Sequence, residues 1–298
     1  MCPFTRTDKA GALPTREAPH RSAGTTSRAH FGGTLPPVIG HRGAAGCAPE
    51  NTLAGLRKAT ELECRWVEFD VRLTADDQLI LLHDERLERT TNGRGEAALL
   101  PLATVQRYDA GRRFGGAFRG ERVPTLAEAV ALLSELGTGA NVELKAVRGR
   151  EAETGAIATA LLRGLWPPRL PAPLISSFSQ KALAAAQACA PQIARGMLFH
   201  AVPRNWRVRA ERLGCATIHA DHRRLHPALV AEIRESGYPL LAYTVNDPRR
   251  ANTLFGWGVT SVFSDVPHIL FAAAKSATGL PAATKLNPAG ASRQGAVR

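Results

Sequence analysis

The sequence predicts an α/β fold, a (β/α)8 barrel, and three observations lead there. Short apolar runs alternate with longer helical patterns. The alternation is sustained over about 235 residues, a length that suits such a barrel. No Gly-rich phosphate loop follows the first apolar run, which argues against an open doubly wound sheet, the main alternative.

The elements follow in order. Pro37-Val38-Ile39-Gly40 is a strand leading into His41. Asn51 and Thr52 are capping-type residues that open a helix over Thr52 to Leu62. Trp66 to Leu73 alternates as a strand, and Gln78 to His83 follows too closely for a crossover helix. The turn cluster Thr74-Ala75-Asp76-Asp77 between them predicts a hairpin. Thr90 to Pro124 holds Gly93, Gly95, Gly111, Gly115, Gly116 and Gly120 without a sustained period. This short Gly-rich insertion after the third strand is expected over the barrel mouth, where loops of this fold carry substrate contacts. Further strands are expected at Ala140 to Lys145, Leu174 to Ser177, Gly196 to Phe199, Ala216 to Ala220, Leu240 to Val245 and Ser261 to Ser264. Helices are expected at Leu126 to Leu136, Glu151 to Leu165, Gln180 to Cys189, Trp206 to Leu213, Pro227 to Glu235 and Pro248 to Phe255. The domain is therefore bounded at 36–274, with extensions at 1–35 and 275–298 whose composition predicts disorder.

Charge narrows the function classes. The net charge is +12, but residues 1–36 contribute +3 and residues 275–298 contribute +4. The rest is spread without a basic run or interleaved aromatics, which disfavours nucleic acid as a partner. Five cysteines, widely spaced and without a Cys-x-x-Cys pair, fit reduced thiols in a cytoplasmic protein better than a disulfide framework or a zinc site. No signal-peptide h-region opens the chain, and no stretch of about 18 apolar residues is present to span a bilayer, so stable membrane insertion is not expected.

Candidate site residues fall at the ends of four strand-like runs: His41-Arg42-Gly43, Glu68-Phe69-Asp70, His83-Asp84 and Glu143-Leu144-Lys145. Strand alternation puts Glu68 and Asp70 on one face. An acid-x-acid pair is commonly a solvated edge, but the flanking Trp66, Val67, Val71 and Leu73 mark an interior strand, where unpaired carboxylates are costly. Glu143 and Lys145 read either as an internal salt bridge or as a metal ligand beside a phosphate-facing cation. A histidine after an apolar run is usually a satisfied core residue; two of them beside three acids are harder to dismiss. A phosphodiester needs its charge neutralised, its nucleophile deprotonated and its leaving alkoxide protonated. Arg42, Lys145 and a divalent ion serve the first need, and two imidazoles the others. An all-carboxylate ligand set favours Mg²⁺ or Ca²⁺.

These runs belong to a longer ordered series. His41-Arg42-Gly43, Pro49-Glu50-Asn51-Thr52, Glu68-Phe69-Asp70-Val71, Leu81-Leu82-His83-Asp84, Leu87 to Gly93, Val142-Glu143-Leu144-Lys145, Ser176-Ser177-Phe178, Tyr243-Thr244-Val245-Asn246 and Ser264-Asp265 resemble the glycerophosphodiester phosphodiesterases, from about Pro37 to Leu270. The resemblance implies a TIM-type barrel of the phosphodiesterase kind, and metal-dependent hydrolysis of deacylated phospholipids to sn-glycerol 3-phosphate and an alcohol. It assigns Glu68, Asp70 and Glu143 to one divalent cation, His41 and His83 to acid/base work, and Arg42 and Lys145 to the phosphate. It adds Glu50 to the outer side of the metal site. Trp257 stands where the family commonly has an aromatic against the glycerol moiety, although a core role accounts for it equally well. The short insertion looks like the small cytosolic bacterial form, acting on a small-molecule glycerophosphodiester. The mechanism expected is attack by the glycerol 2-hydroxyl, deprotonated by His41, with His83 protonating the alcohol. The rival readings are a lysophospholipase D or a phosphoinositide-type phospholipase C on the same barrel, a general phosphatase or nuclease, and a catalytically silent binding barrel. Oligomeric state and head group are not encoded in these motifs.

Overall fold

The computed structural model describes residues 34–278. The elements, in order, are β1 (Val38–Gly40), α1 (Leu53–Glu61), β2 (Trp66–Leu73), β3 (Leu79–Leu81), α2 (Leu102–Val105), α3 (Leu126–Leu136), β4 (Gly139–Leu144), α4 (Glu151–Leu165), β5 (Leu174–Ser177), α5 (Gln180–Cys189), β6 (Ala194–Phe199), α6 (Trp206–Arg212), β7 (Thr217–Asp221), α7 (Pro227–Glu235), β8 (Leu240–Tyr243), α8 (Pro248–Trp257), β9 (Ser261–Ser264) and α9 (Pro267–Thr278). All strands but β3 pair in parallel in the order β1-β9-β8-β7-β6-β5-β4-β2, and β1–β2 pairing closes the ring into an eight-stranded barrel. A parallel ring needs a crossover after each strand, and the helices supply them.

Local chemistry sets the helix ends. Thr52 caps α1 by accepting from Gly55 N–H, and Thr125 with Glu128 forms a reciprocal capping box on α3. Pro248 opens α8 behind the Asp247 cap. Apolar residues from both ends of the ring, among them Ile39, Trp66, Leu174, Leu241 and Phe263, plug its floor. Two larger apolar layers fill the space between strands and helices.

The hairpin is present. β3 runs antiparallel to β2 with Val71 opposite Leu81 and Leu73 opposite Leu79. Thr74 ties the turn, its hydroxyl donating to Asp76 Oδ1 at 2.6 Å and accepting from Gln78 N–H at 3.0 Å. The insertion that follows is more ordered than its glycines suggest, because Ile80, Leu82, Leu87, Ala97, Val105, Ala110 and Val123 form a small core of their own. One boundary shifts: α9 runs through the expected limit at 274 to Thr278. The tails expected at 1–35 and 275–298 otherwise lie outside the described residues.

Candidate active site

Parallel closure gathers the C-terminal ends of the strands on one rim, and the chemistry sits there. After β1 the chain turns at once, with Arg42 at φ 50° and Gly43 at φ 87°. A Cβ on Gly43 would lie 2.5 Å from the Gly55 carbonyl, so only glycine fits. The turn aims Arg42 N–H at Glu68 Oε2 (2.9 Å) and Gly43 N–H at the Glu68 carbonyl (3.0 Å).

β2 and β4 pair with Glu68 opposite Asn141 and Asp70 opposite Glu143. This register brings carboxylate oxygens of Glu68, Asp70 and Glu143 within 4.8 Å of one another, and all three residues are buried. Asp70 is compensated: Lys145 Nζ lies 3.3 Å from Oδ1, Arg42 Nε 3.4 Å from Oδ2, and Asn51 Nδ2 donates at 2.8 Å. Burial alone would raise its pKa, but these cations and the Asn51 hydrogen bond hold it well below the carboxylate range. Glu68 is pushed well up by burial and by the charges of Asp70 and Glu143. Burial raises Glu143 too, against its contact with Lys145 Nζ. Glu68 Oε1 is buried without any partner. A hard cation fits these residues, since it supplies the missing partner and relieves the mutual repulsion with oxygen ligands alone. The triad could hold a metal.

Each histidine is backed by a carboxylate. His41 Nδ1 lies 2.6 Å from Asp265 Oδ1, and Asp265 is itself fixed by Asn246, which donates from Nδ2 at 2.7 Å and accepts from Asp265 N–H at 2.9 Å. His83 Nδ1 lies 2.7 Å from Asp84 Oδ1, and Arg89 donates to Asp84 from Nε at 2.5 Å. Arg89 continues to Glu50 through Nη1 (2.6 Å) and Nη2 (2.8 Å), and Glu50 accepts from Arg42 Nη1 at 2.8 Å. A continuous ionic chain thus runs from His83 to Arg42. Burial, then the charges of Lys145 and Arg42, hold the His83 imidazole below its ordinary value despite Asp70 and Asp84. The Arg89 hydrogen bond holds Asp84 at about 2. With Nδ1 occupied, each Nε2 is left for a substrate; that of His41 lies 3.9 Å from Glu68 Oε2.

The cavity between these groups has a volume of about 140 Å³. One wall is aromatic: Phe178 stacks on His200 at 4.3 Å between centroids and meets Tyr243 edge-on at 6.1 Å. Two imidazoles able to exchange protons and a buried acidic triad thus share one small polar chamber.

All the predicted site residues gather here except Trp257, which is corrected. It ends α8, a helix that returns from the mouth to the opposite face of the barrel. There it packs on the apolar layer with the Arg250 guanidinium 4.8 Å over its ring. The insertion stands at the mouth as expected, with Arg113 and Phe114 beside Glu50 and Arg89, but outside the cavity itself. None of residues 90–124 lines this cavity. Asp84, Arg89, Asn246 and Asp265 stand in the motif series of the sequence but carried no assigned role there; an acid directly after His83 and after Ser264 was the available signal.

Comparison with known proteins agrees. The sequence model of the Glycerophosphoryl diester phosphodiesterase family matches residues 41–269. A glycerophosphodiester phosphodiesterase of Caldanaerobacter subterraneus subsp. tengcongensis is 32% identical over 238 residues, 78% of this chain and 95% of that protein. One from Bacillus subtilis is 31% identical over 264 residues, 82% of this chain and 89% of that protein. Among solved structures, an Oleispira antarctica phosphodiesterase in complex with the product sn-glycerol-3-phosphate is 42% identical with a TM-score of 0.79, covering 81% of this chain and 97% of its own.

Proposed function

This chain belongs to the glycerophosphoryl diester phosphodiesterase family, and from that premise we propose that it hydrolyses glycerophosphodiesters to sn-glycerol 3-phosphate and an alcohol with one divalent cation, Mg²⁺ or Ca²⁺. The observation that carries this reading is a buried acidic triad flanked on the same rim by two carboxylate-backed imidazoles. The Oleispira relative, which binds sn-glycerol-3-phosphate, supports the product named.

Glu68, Asp70 and Glu143 would hold the cation, which supplies neutralisation of phosphate charge and acidifies a hydroxyl beside it. Arg42 and Lys145 face the phosphate oxygens, and Glu50 holds Arg42 in place. His41, whose Nε2 stands nearest the triad, takes the proton of the glycerol 2-hydroxyl as that oxygen attacks phosphorus. The alcohol oxygen leaves with a proton from His83, and a cyclic phosphate remains. Water then opens the ring: His83, now neutral, takes its proton, and His41 returns one to the glycerol oxygen. Burial leaves a minority of His83 protonated at neutral pH but makes that fraction a stronger acid. The cysteines Cys47, Cys64, Cys189 and Cys215 are free, and burial pushes the thiols of Cys64 and Cys215 up to about 12, which leaves those two unreactive packing groups.

The test incubates the chain with glycerophosphocholine and glycerophosphoethanolamine, with and without chelator, and measures sn-glycerol 3-phosphate. Product that disappears on chelation and returns with Mg²⁺ or Ca²⁺ is expected; chelator-resistant turnover overturns the metal assignment. A diester lacking the 2-hydroxyl should be inert, and its normal turnover would exclude the cyclic route.

A further inference from the structure

The insertion that turned out not to line the cavity carries an unexplained surface. Asp109 closes its outer loop at the base. Its Oδ1 accepts from the N–H groups of Gly111 (2.9 Å) and Arg112 (2.8 Å), and its Oδ2 from that of Gly120 (2.9 Å). Gly111 is required by close approach, since a Cβ there would lie 1.8 Å from the Phe118 carbonyl. Beyond this pinned base the loop projects: a Cβ on Gly115 or Gly116 would meet nothing within 4 Å. The projection carries Phe114, 42% exposed, in edge-on contact with Phe118 at 5.4 Å.

Charge surrounds these rings. Residues 111–122 hold Arg112, Arg113, Arg119 and Arg122 against one acid, Glu121, and Glu121 is tied to the start of α1 through Ala54 N–H at 3.1 Å. Arg112 and Arg113 also wall a cleft of about 730 Å³ with Arg86 and Arg94, whose single acid, Glu88, is taken by Arg86 and Gly95 N–H. On its other side the loop meets the mouth, where Arg113 and Phe114 border Glu50 and Arg89. An exposed phenylalanine on a projecting loop, backed by a half-buried second ring and set among arginines that outnumber the acids, complements one kind of partner: an anionic lipid surface. Rings enter the interfacial region while guanidinium groups meet the head groups.

We propose that the loop Gly111 to Arg122 docks the enzyme reversibly on anionic lipid surfaces, with the mouth of the barrel facing the head groups. No helix among the described residues is long and apolar enough to cross a membrane, so the attachment is peripheral. The inference stands on surface chemistry alone, independent of the catalytic assignment.

Flotation of the full chain with vesicles tests it. The chain should float with vesicles of phosphatidylcholine mixed with phosphatidylglycerol, stay behind with phosphatidylcholine alone, and come off in high salt. The double variant Arg112→Gln, Arg119→Gln should partition about thirty-fold more weakly, the scale of two surface cations near an anionic leaflet, and Phe114→Ala with Phe118→Ala should weaken it severalfold again. Val208→Ala, at a residue 67% exposed on α6, should change nothing. All variants should turn over soluble glycerophosphocholine like the parent. Phe114→Trp should be quenched by lipids labelled in the upper acyl chain. Variants that float as well as the parent would assign the binding to other parts of the chain and overturn the proposal. So would an absence of floating, an unquenched Trp, or equal capture by single-stranded RNA abolished by the same substitutions.

Discussion

Replacing Asp84 by asparagine tests the acid role of His83, while also weakening the Arg89 contact on the other carboxylate oxygen. Asp84 Oδ1 lies 2.7 Å from His83 Nδ1, and an amide oxygen can accept the same hydrogen bond, so the ring orientation survives while the charge is lost. Burial, Lys145 and Arg42 already depress the imidazole, and Asp70 with Asp84 pulls it back up. A hydrogen bond to a charged group contributes about 1.5–3 kcal/mol against about 1 kcal/mol for a neutral one. The two side chains are 32% and 31% exposed, so the lower end applies, a difference of about 0.5 kcal/mol or about 0.4 pKa unit. The folded-state value moves down, and the protonated acid then survives only to a lower pH. With saturating cation, kcat/KM for glycerophosphocholine should fall roughly twofold at neutral pH, the greater acidity of the remaining imidazolium recovering part of the loss. The alkaline limb of the profile should move about 0.4 unit to lower pH. A nitrophenyl ester of glycerol 3-phosphate, whose leaving group needs no proton, should lose almost nothing. Equal losses on both substrates, or an unmoved limb, would refute the assignment of His83 as the acid.

Glu143→Gln keeps the volume and removes the charge, and should cost roughly three orders of magnitude in kcat together with measurable cation affinity by calorimetry. Glu68 and Glu143 have raised values, so cation binding must displace protons: affinity should weaken as pH falls, and calorimetry in buffers of different ionisation enthalpy should show proton release. By the same sign, their contribution to folding is lost as pH rises through their titration, so the gain in Tm on adding cation should be larger at alkaline than at mildly acidic pH. Gly43→Ala places a Cβ 2.5 Å from the Gly55 carbonyl at φ 87°, and should destabilise by about 2–4 kcal/mol in urea unfolding. Trp257→Phe should leave KM unchanged and lower only stability; a raised KM would restore Trp257 to the substrate site.

The sequence was most legible where periodicity and end signals coincide. Trp66 to Leu73 alternates and is bounded by a turn cluster, and α3 carries a capping box, so both appear where expected. The acids were legible because Glu68, Asp70 and Glu143 interrupt apolar strands. The supporting contacts were less so, since Asn51 on Asp70 and Arg89 on Glu50 and Asp84 reach the site only through turns that no period announces. Asp265 was hidden for a different reason: its contact with His41 joins the last strand to the first, 224 positions apart. Trp257 stood between the glycerol moiety and the core because its position before the last strand suggested the mouth, whereas α8 carries the chain to the opposite face. The internal order of the insertion was not legible, because its small core gathers residues from Ile80 to Val123 whose packing local pattern does not encode.

β1 and β2 share one register pair, Gly40 with Val67, whereas β2 and β4 match from Trp66 with Gly139 to Val71 with Leu144. The weak seam is bridged by the turn after β1, through Gly43 N–H and Arg42 N–H on Glu68. The acids and His83 stand on one bank of it, His41 and Asp265 on the other. A chain clipped before β9 would therefore keep every candidate ligand for the ion yet lack the group that steadies His41. Turnover thereby reports that β9 has seated itself against β1.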